Sequence, residues 1–286
     1  MASKLSVKQF FARFPDDDAC LKHIMEVRHG LRHLCEACGV EATFHKITGR
    51  RAFACSQCGD HVYPCAGTVL QDSRTPLQLW FYAIYLFVTT RHGVSARELQ
   101  RQLGVTLKCA WRMGHKIREL TKGADKQVML FGHVEIDEAY VGGVRSGGKS
   151  GRGAPGKTIV LGLKKRGGRL HTEIIRDVKT NTIRKIVERT VAEGSTISTD
   201  EFASYGLLEV SAYEHGTVRH SLNEYVVGKH HTNNVESFWR LFKASIRSTH
   251  IHISPKYFDK YLREFTFRSN FRAVENGMFD LLVAAL

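Results

Sequence analysis

The segment FGHVEIDEAYVGG, residues 131–143, carries the clearest structural signal in this sequence. Its valine and isoleucine residues alternate with polar ones, which predicts a β-strand with Asp137 near its end. Alternation places Glu135 on the same strand face as Asp137, so geometry alone leaves Glu135 a competing candidate for any role given to Asp137.

Strands and helices alternate on the C-terminal side of this segment. Gly167 and Gly168 form a turn that joins two apolar runs into a hairpin. A helix then precedes a short strand that ends at Asp200, and a last helical region carries Glu236. This order of elements predicts an α/β domain with a mixed sheet. The further strands are predicted at residues 158–163, 170–175 and 195–199, and the helices from 180 to about 192 and from about 233.

Three acidic residues are predicted to carry chemistry: Asp137, Asp200 and Glu236. Strand ends and a neighbouring helix can bring three carboxylates together, and a divalent cation would offset their repulsion. Two Mg²⁺ ions about 4 Å apart can activate a nucleophile and stabilise a leaving 3′ oxygen in phosphoryl transfer. The competing interpretation is that each acid is a surface, turn or cap residue, with Glu236 placed to pair with Arg240 on its helix.

Two CxxC pairs, at residues 35–38 and 55–58, are separated by sixteen residues. Each pair fits a tight turn that points two sulfurs at one position, and this spacing predicts a structural Zn²⁺ site in a zinc ribbon. A pair of redox CxxC motifs is the alternative, and His61 or Cys65 could replace one ligand. The predicted zinc ligands are Cys35, Cys38, Cys55 and Cys58.

The residues between the ribbon and the first strand predict a helix-turn-helix. An aromatic helix at 77–90 is core material, and Ser95 is placed to cap the next helix. Gly104 makes a turn before a helix with basic residues on one side, and Trp111 of that helix is expected in the core. A helical hairpin with no DNA contact would show a similar pattern.

Positive charge is concentrated in two stretches. The chain has 42 Lys+Arg, 28 Asp+Glu and a formal net charge of +14, which suits a polyanionic partner. Residues 91–126 carry nine basic and three acidic residues, and residues 145–169 carry eight basic and no acidic residues. Two solvated faces would be the plainer explanation. The predicted DNA-binding residues are Lys108, Arg112, Lys116, Arg118, Arg145, Lys149, Arg152 and Lys157.

Several classes are excluded by composition. The 286 residues are 43% hydrophobic and 24% charged, as in a globular protein rather than a disordered or collagenous one. No apolar run reaches the roughly 20 residues of a membrane span, and the first residues lack the pattern of a signal peptide. We therefore expect a protein with no membrane partner.

Four motifs, taken in order, resemble those of the ISXO-like insertion-sequence transposases, which have a zinc ribbon and a DDE catalytic domain. They are YPCAGT at 63–68 after the ribbon, FGHVEIDEAYVGG at 131–143, STDEF at 198–202 with Tyr205, and HTNNVESFW at 231–239 with Lys243. The resemblance covers nearly the whole chain. It implies an RNase H-like core in which Asp137, Asp200 and Glu236 hold Mg²⁺ or Mn²⁺, and it adds Asn234 as a ligand or a group that supports one.

The sequence and the resemblance together predict four parts: a helical lead-in at 1–30 with a helix start at Pro15 and the following aspartates, a zinc ribbon at 31–68, a helix-turn-helix-like region at 69–127, and an RNase H-like core at 128–286. The expected activity is cleavage of the terminal inverted repeats of an insertion sequence and joining of the freed 3′-OH to target DNA. The alternatives are a nuclease without strand transfer and a zinc-ribbon DNA-binding regulator. We expect a homo-oligomer on DNA and a cytoplasmic, nucleoid-associated location in a prokaryote.

Overall fold

The computed structural model describes residues 5–126, 128–142, 157–205, 212–274 and 277–286. The chain forms two compact units. The first contains residues 1–124 together with 271–286, and the second contains residues 125–270. The sequence prediction assigned the whole C-terminus to the catalytic core, so its last boundary differs from the observed one.

The C-terminal helix (Gly277–Ala284) belongs to the first unit because its apolar side chains pack there. The ring of Phe279 is buried, with its centroid 5.5 Å from that of Phe14 and 5.8 Å from that of Phe81. Aromatic burial of this kind contributes a large part of core stability. The helix therefore completes the first core.

Two helices and a small antiparallel sheet form the N-terminal part of the first unit. Asp16 caps the second helix by accepting a hydrogen bond from the N–H of Ala19 at 2.8 Å, which confirms the predicted helix start. The sheet has the order β1-β2-β3-β4. The elements are α1 (Val7–Arg13), α2 (Asp17–Arg28), β1 (Arg32–Leu34), β2 (Glu41–Lys46), β3 (Phe53–Cys55) and β4 (His61–Val62).

Three further helices follow: α3 (Leu77–Thr89), α4 (Ala96–Leu103) and α5 (Leu107–Ala124). The Ser95 hydroxyl accepts a hydrogen bond from the N–H of Glu98 and caps α4, as predicted. Gly104 ends α4 with φ 65°, a left-handed conformation that favours glycine. The helix–turn–helix arrangement of α4 and α5 is therefore present.

The second unit is built on a five-stranded mixed sheet with the order β7-β6-β5-β8-β9. β5 pairs with β6 in antiparallel and with β8 in parallel orientation. This is the mixed sheet expected for an RNase H-like core. The elements are β5 (His133–Val141), β6 (Thr158–Lys165), β7 (Leu170–Ile175), α6 (Thr180–Thr190), β8 (Thr196–Thr199), β9 (Glu214–Thr217), α7 (Asn233–Ser245) and α8 (Phe258–Phe271), with 3₁₀ turns at His220–Leu222 and Pro255–Tyr257 and a π turn at Ile246–His250.

The two faces of the sheet pack against different helices. Val134 and Ile136 of β5 share one buried cluster with Val187 of α6. Ala139, on the other face of β5, shares a second cluster with Trp239 of α7. Because side chains alternate along a strand, the odd-numbered residues of β5 lie on the α7 face. Glu135 and Asp137 are among them.

Helix α7 lies very close to β6 at Gly162, the residue that pairs with Asp137. A Cβ atom at Gly162 would lie 2.6 Å from Cζ2 of Trp239 and 3.0 Å from Cγ2 of Val235. A larger residue would therefore push α7 away from the sheet. The missing side chain at Gly162 lets the first turns of α7 approach the strand that carries Asp137.

Within the described parts of the chain, no helix combines the length and the apolar character that a membrane span requires.

Candidate functional site

The four predicted zinc ligands form one cluster. The sulfur atoms of Cys35, Cys38, Cys55 and Cys58 all lie within 4.8 Å of one another. The backbone N–H of Gly39 donates to Cys35 and that of Gly59 to Cys55, so each CxxC pair closes a tight turn. Backbone N–H groups of Cys58 and Gln57 lower the pKa of Cys55 to about 7, whereas desolvation and the three neighbouring thiols raise that of Cys58 to about 12. The thiol of Cys55 is therefore the more easily ionised of these two, and the thiolate is the form that binds zinc. Four converging sulfurs leave no open position, as in a structural Zn²⁺ site.

The alternative interpretations, redox CxxC motifs or a ligand replaced by His61 or Cys65, do not fit this geometry. A redox function needs two independent CxxC pairs, whereas the Sγ atoms of Cys35 and Cys58, from different pairs, lie 3.7 Å apart. Cys65 is buried, and burial raises the pKa of its thiol. Among the described residues, neither Cys65 nor His61 belongs to the cluster.

The three predicted acids lie on adjacent elements of the second unit. Asp137 lies in the middle of β5, Asp200 directly follows β8, and Glu236 lies in the first turn of α7. β5 and β8 are neighbouring parallel strands, and α7 packs on the face of β5 that carries Asp137. The fold thus brings three distant parts of the sequence to one side of the sheet.

The pKa of Asp137 shows the influence of the neighbouring acids. Burial raises the pKa of Asp137 well above its ordinary value, and the negative charges of Glu138, Asp200 and Glu236 raise it further. Like charges in a poorly solvated place disfavour ionisation. The acids therefore share one electrostatic environment. Among the described residues, however, the four cysteines are the only group of three or more potential metal ligands whose ligand atoms converge, and the three acids do not form such a group.

Two of these acids are held by local hydrogen bonds. An Oδ1 atom of Asp200 accepts the backbone N–H of Phe202 at 3.0 Å, and Asp200 is buried. The Oε1 atom of Glu236 accepts the hydroxyl of Thr232 and lies 3.2 Å from Nε2 of His220. These contacts restrict the rotamers of both carboxylates.

Glu135, the competing candidate on β5, is engaged elsewhere. Its side chain is fully buried and accepts hydrogen bonds from Arg166 and from the start of α7. The side-chain amide of Asn234 donates to Glu135 at 2.7 Å, so in this structure the amide supports Glu135. A direct metal contact of Asn234 stays a prediction. Sequence reasoning did not reveal the Glu135 contacts, because they join residues 31 to 100 positions apart.

Lysine side chains lie near the acids. Burial lowers the pKa of Lys243, the charge of Asp137 acts against this shift, and the charges of Arg247 and Lys157 add to it. These interactions place Lys243 near Asp137 and Lys157 near Lys243. Lys157, at the start of β6, was predicted to bind DNA. Arg145, Lys149 and Arg152 lie outside the described residues.

The predicted recognition helix α5 has an exposed face near its start. Lys108 and Arg112, one helical turn apart, are both exposed. Trp111 is 42% exposed, so the expectation that it lies in the core is wrong. Its ring packs against that of His115 at 4.1 Å and leaves one side toward solvent.

The two remaining predicted DNA contacts on α5 face the protein. Arg118 is 4% exposed, and its guanidinium lies 4.9 Å from the ring centroid of Phe87. This cation–π contact explains its burial. The Nζ atom of Lys116 donates to the backbone carbonyl of Val69 at 2.7 Å. The prediction for Arg118 therefore does not fit the structure, because helical phase turns it into the core.

Removing one zinc ligand should unfold the ribbon. We expect one zinc per chain in the purified protein and its loss in Cys38→Ser, together with a lower Tm, because structural zinc supplies folding free energy of roughly 10 kcal/mol. Metal analysis and thermal unfolding measure both. Cys109→Ser, outside the cluster, should keep its zinc. A zinc-free wild-type protein with the same Tm would contradict this assignment.

Removing the charge of Asp137 should stabilise the protein in buffer without added divalent salts. A carboxyl whose pKa is raised above 3.8 in the folded state makes stability fall as pH rises through the interval between the two values. Asp137→Asn should therefore have a higher Tm than the wild type at pH 8, with a smaller difference near pH 4. Glu224→Gln, an exposed acid, should show no such pattern. A lower Tm for Asp137→Asn at every pH would contradict the repulsion.

Comparison with known proteins agrees with this architecture. Residues 129–270 match a family model described as the ISXO2-like transposase domain, and residues 15–61 match one described as the transposase zinc-ribbon domain. An uncharacterized transposase-like protein of Haemophilus influenzae is 28% identical over 102 residues, which cover 36% of this chain and 81% of that protein.

The first match coincides with the second structural unit, and the other covers the four-cysteine cluster. With its mixed sheet and its N-terminal ribbon, the chain contains an ISXO2-like transposase domain and a transposase zinc-ribbon domain.

Proposed function

We propose that this protein cleaves the ends of its insertion sequence and joins the freed 3′-OH to target DNA by metal-dependent phosphoryl transfer. The observation that carries the proposal is the common electrostatic environment of Asp137, Asp200 and Glu236 within a transposase domain. Three carboxylates that repel one another are a stability cost unless a cation joins them.

The donor set fits Mg²⁺ or Mn²⁺. Both prefer carboxylate oxygens and leave positions for water and phosphate oxygens. Asp137, Asp200 and Glu236 would hold the ions. When bound, the metal ions would polarise the phosphoryl group and lower the pKa of a coordinated water.

The protein's own groups position these ligands and the DNA. The Phe202 N–H orients Asp200, while Thr232 and His220 orient Glu236. Lys243 contributes positive charge near Asp137, and Lys157 adds positive charge near Lys243, which suits a DNA phosphate. Positioning and charge neutralisation supply the catalysis.

The proposed chemistry has two displacements at phosphorus. Water attacks a phosphodiester at the transposon end and frees a 3′-OH as the P–O3′ bond breaks. That hydroxyl then attacks a target phosphodiester, so one P–O bond forms as another breaks. No covalent protein intermediate is needed.

We also propose that the start of α5 binds the DNA ends. Lys108 and Arg112 contribute positive charge on the exposed face of the second helix of a helix-turn-helix, the element that enters the major groove in such motifs. Trp111 lies between them and adds an exposed aromatic surface. Arg118 is omitted because it is buried.

Joining two ends requires two active sites on one DNA assembly, so a homo-oligomer on DNA is part of the proposal. A nuclease without strand transfer is the second candidate, favoured by the same acids. Incubating pre-cut end DNA with target plasmid and Mg²⁺ separates the two, since only a transposase forms joined products.

Asp200→Asn should abolish cleavage and spare DNA binding. Losing one ligand should lower the cleavage rate by at least about 100-fold, because charge stabilisation at phosphorus is lost. Cleavage of a duplex taken from the DNA that flanks the gene, on gels, and its binding by mobility shift measure the two effects. Glu201→Gln, the neighbouring exposed acid, should cleave normally. Persistent cleavage by Asp200→Asn would refute the assignment.

Replacing Lys108 and Arg112 with alanine should weaken binding of the flanking duplex and lower the slope of log K against log salt by about two, one for each lost phosphate contact. Trp111 fluorescence can report binding, because Trp80 and Trp239 are buried. The matched control is Arg176→Ala with Arg184→Ala, which removes the same charge from exposed positions of the second unit. Equal slopes in both double variants would contradict the α5 surface.

A further inference from the structure

The first turn of helix α7 lacks a cap of its own. Thr232 occupies the N-cap position, yet its side chain makes no capping hydrogen bond. Its hydroxyl donates instead to Glu236. The N–H groups at the helix start therefore need another acceptor, since unpaired buried donors are costly.

Glu135 supplies that acceptor from strand β5. Its Oε2 atom accepts the backbone N–H of Asn234 at 2.8 Å and that of Val235 at 3.2 Å. Its Oε1 atom accepts the side-chain amide of Asn234 at 2.7 Å. The two N–H groups are those that an N-cap side chain normally binds, and the carboxylate charge suits the positive end of the helix dipole.

Arg166 pairs with this carboxylate and also contacts the residues before the helix. Its Nε atom donates to Oε1 of Glu135 at 2.8 Å. Its other nitrogens donate to the backbone carbonyls of Lys229 at 2.6 Å and His231 at 3.2 Å, just before α7. Glu135 and Arg166 thus connect strand β5 to the loop before α7 and to the first turn of α7.

We infer that Glu135 is a positioning residue for the metal site, and the inference rests on the proposed function. Glu135 holds the N–H of Val235, the residue before Glu236, and lies on the same face of β5 as Asp137, two residues away. One carboxylate therefore connects the two elements that carry Asp137 and Glu236. Glu135 acts through Glu236 and does not itself hold an ion.

The test measures Mn²⁺ binding to the full-length protein. Electron paramagnetic resonance reports the concentration of free Mn²⁺ during the titration. Glu135→Gln replaces an acceptor oxygen by an NH₂ group that faces the donors of Arg166 and Asn234. Loss of such support typically weakens metal binding about 10- to 100-fold, and we expect a weakening in this range. Cleavage should recover at saturating Mn²⁺, which a loss of catalytic groups would not allow.

The matched control is Glu264→Gln. Glu264 is equally buried and pairs with Arg268 within α8, with Nε and Nη2 at 3.0 and 2.9 Å. This variant should lose stability, yet its Mn²⁺ affinity should stay within about twofold of the wild type, because pairs that share no partners act independently.

Glu135→Asp decides the matter if Glu135→Gln does not fold. It keeps the charge beside Arg166, but its shorter side chain cannot also reach the N–H groups of α7, so weakened Mn²⁺ binding is again expected. Wild-type affinity in a folded Glu135 variant would overturn the inference. Wild-type protein that binds no Mn²⁺, or Asp200→Asn that binds it normally, would instead refute the proposed function.

Discussion

The carboxylate of Glu135 joins strand β5 to the first turn of α7, and the geometry of the site depends on this contact. Asp137 lies two residues beyond it on the same strand, and Glu236 lies one residue beyond the N–H group that it binds. Gly162 complements it by allowing α7 to lie close to the sheet. One polar contact and one absent side chain therefore determine how near the acids can come.

The proximity of the acids lowers stability, although the proposed function requires it. The charges of Glu138, Asp200 and Glu236 disfavour the ionised form of Asp137, so their proximity costs electrostatic energy. Apolar packing below α7, where Trp239 and Phe242 are buried, offsets that cost. A local loss of stability of this kind, offset by packing elsewhere, is typical of functional sites.

Local patterns predicted much of the fold and of the site. Alternation in 131–143 located β5, and spacing of the CxxC pairs located the zinc cluster, because both signals lie within short stretches of chain. The acids were found because Asp137 lies on a recognisable strand, Asp200 follows another and Glu236 lies near the start of a helix. Their proximity is a property of the sheet order, which the sequence indicates only through the family resemblance.

Long-range choices were not predictable from the sequence. The same alternation describes Glu135 and Asp137, and only the position of α7 shows which one caps a helix. The prediction placed Arg118 on the surface and Trp111 in the core, whereas Arg118 is buried and Trp111 is exposed. The sequence did not indicate this, because the ring that contacts Arg118 is that of Phe87 on another helix. The prediction placed the C-terminal helix with the catalytic core, whereas the helix packs in the first unit. Composition alone does not show which core an apolar helix face joins.

The most direct measurement is a crystal structure of the protein soaked in Mn²⁺, with anomalous scattering recorded to locate the ions. The account predicts manganese between the carboxylates of Asp137, Asp200 and Glu236, with Glu135 still bound to α7 and zinc in the ribbon. Manganese bound elsewhere, with these three side chains directed to separate surfaces, would contradict it.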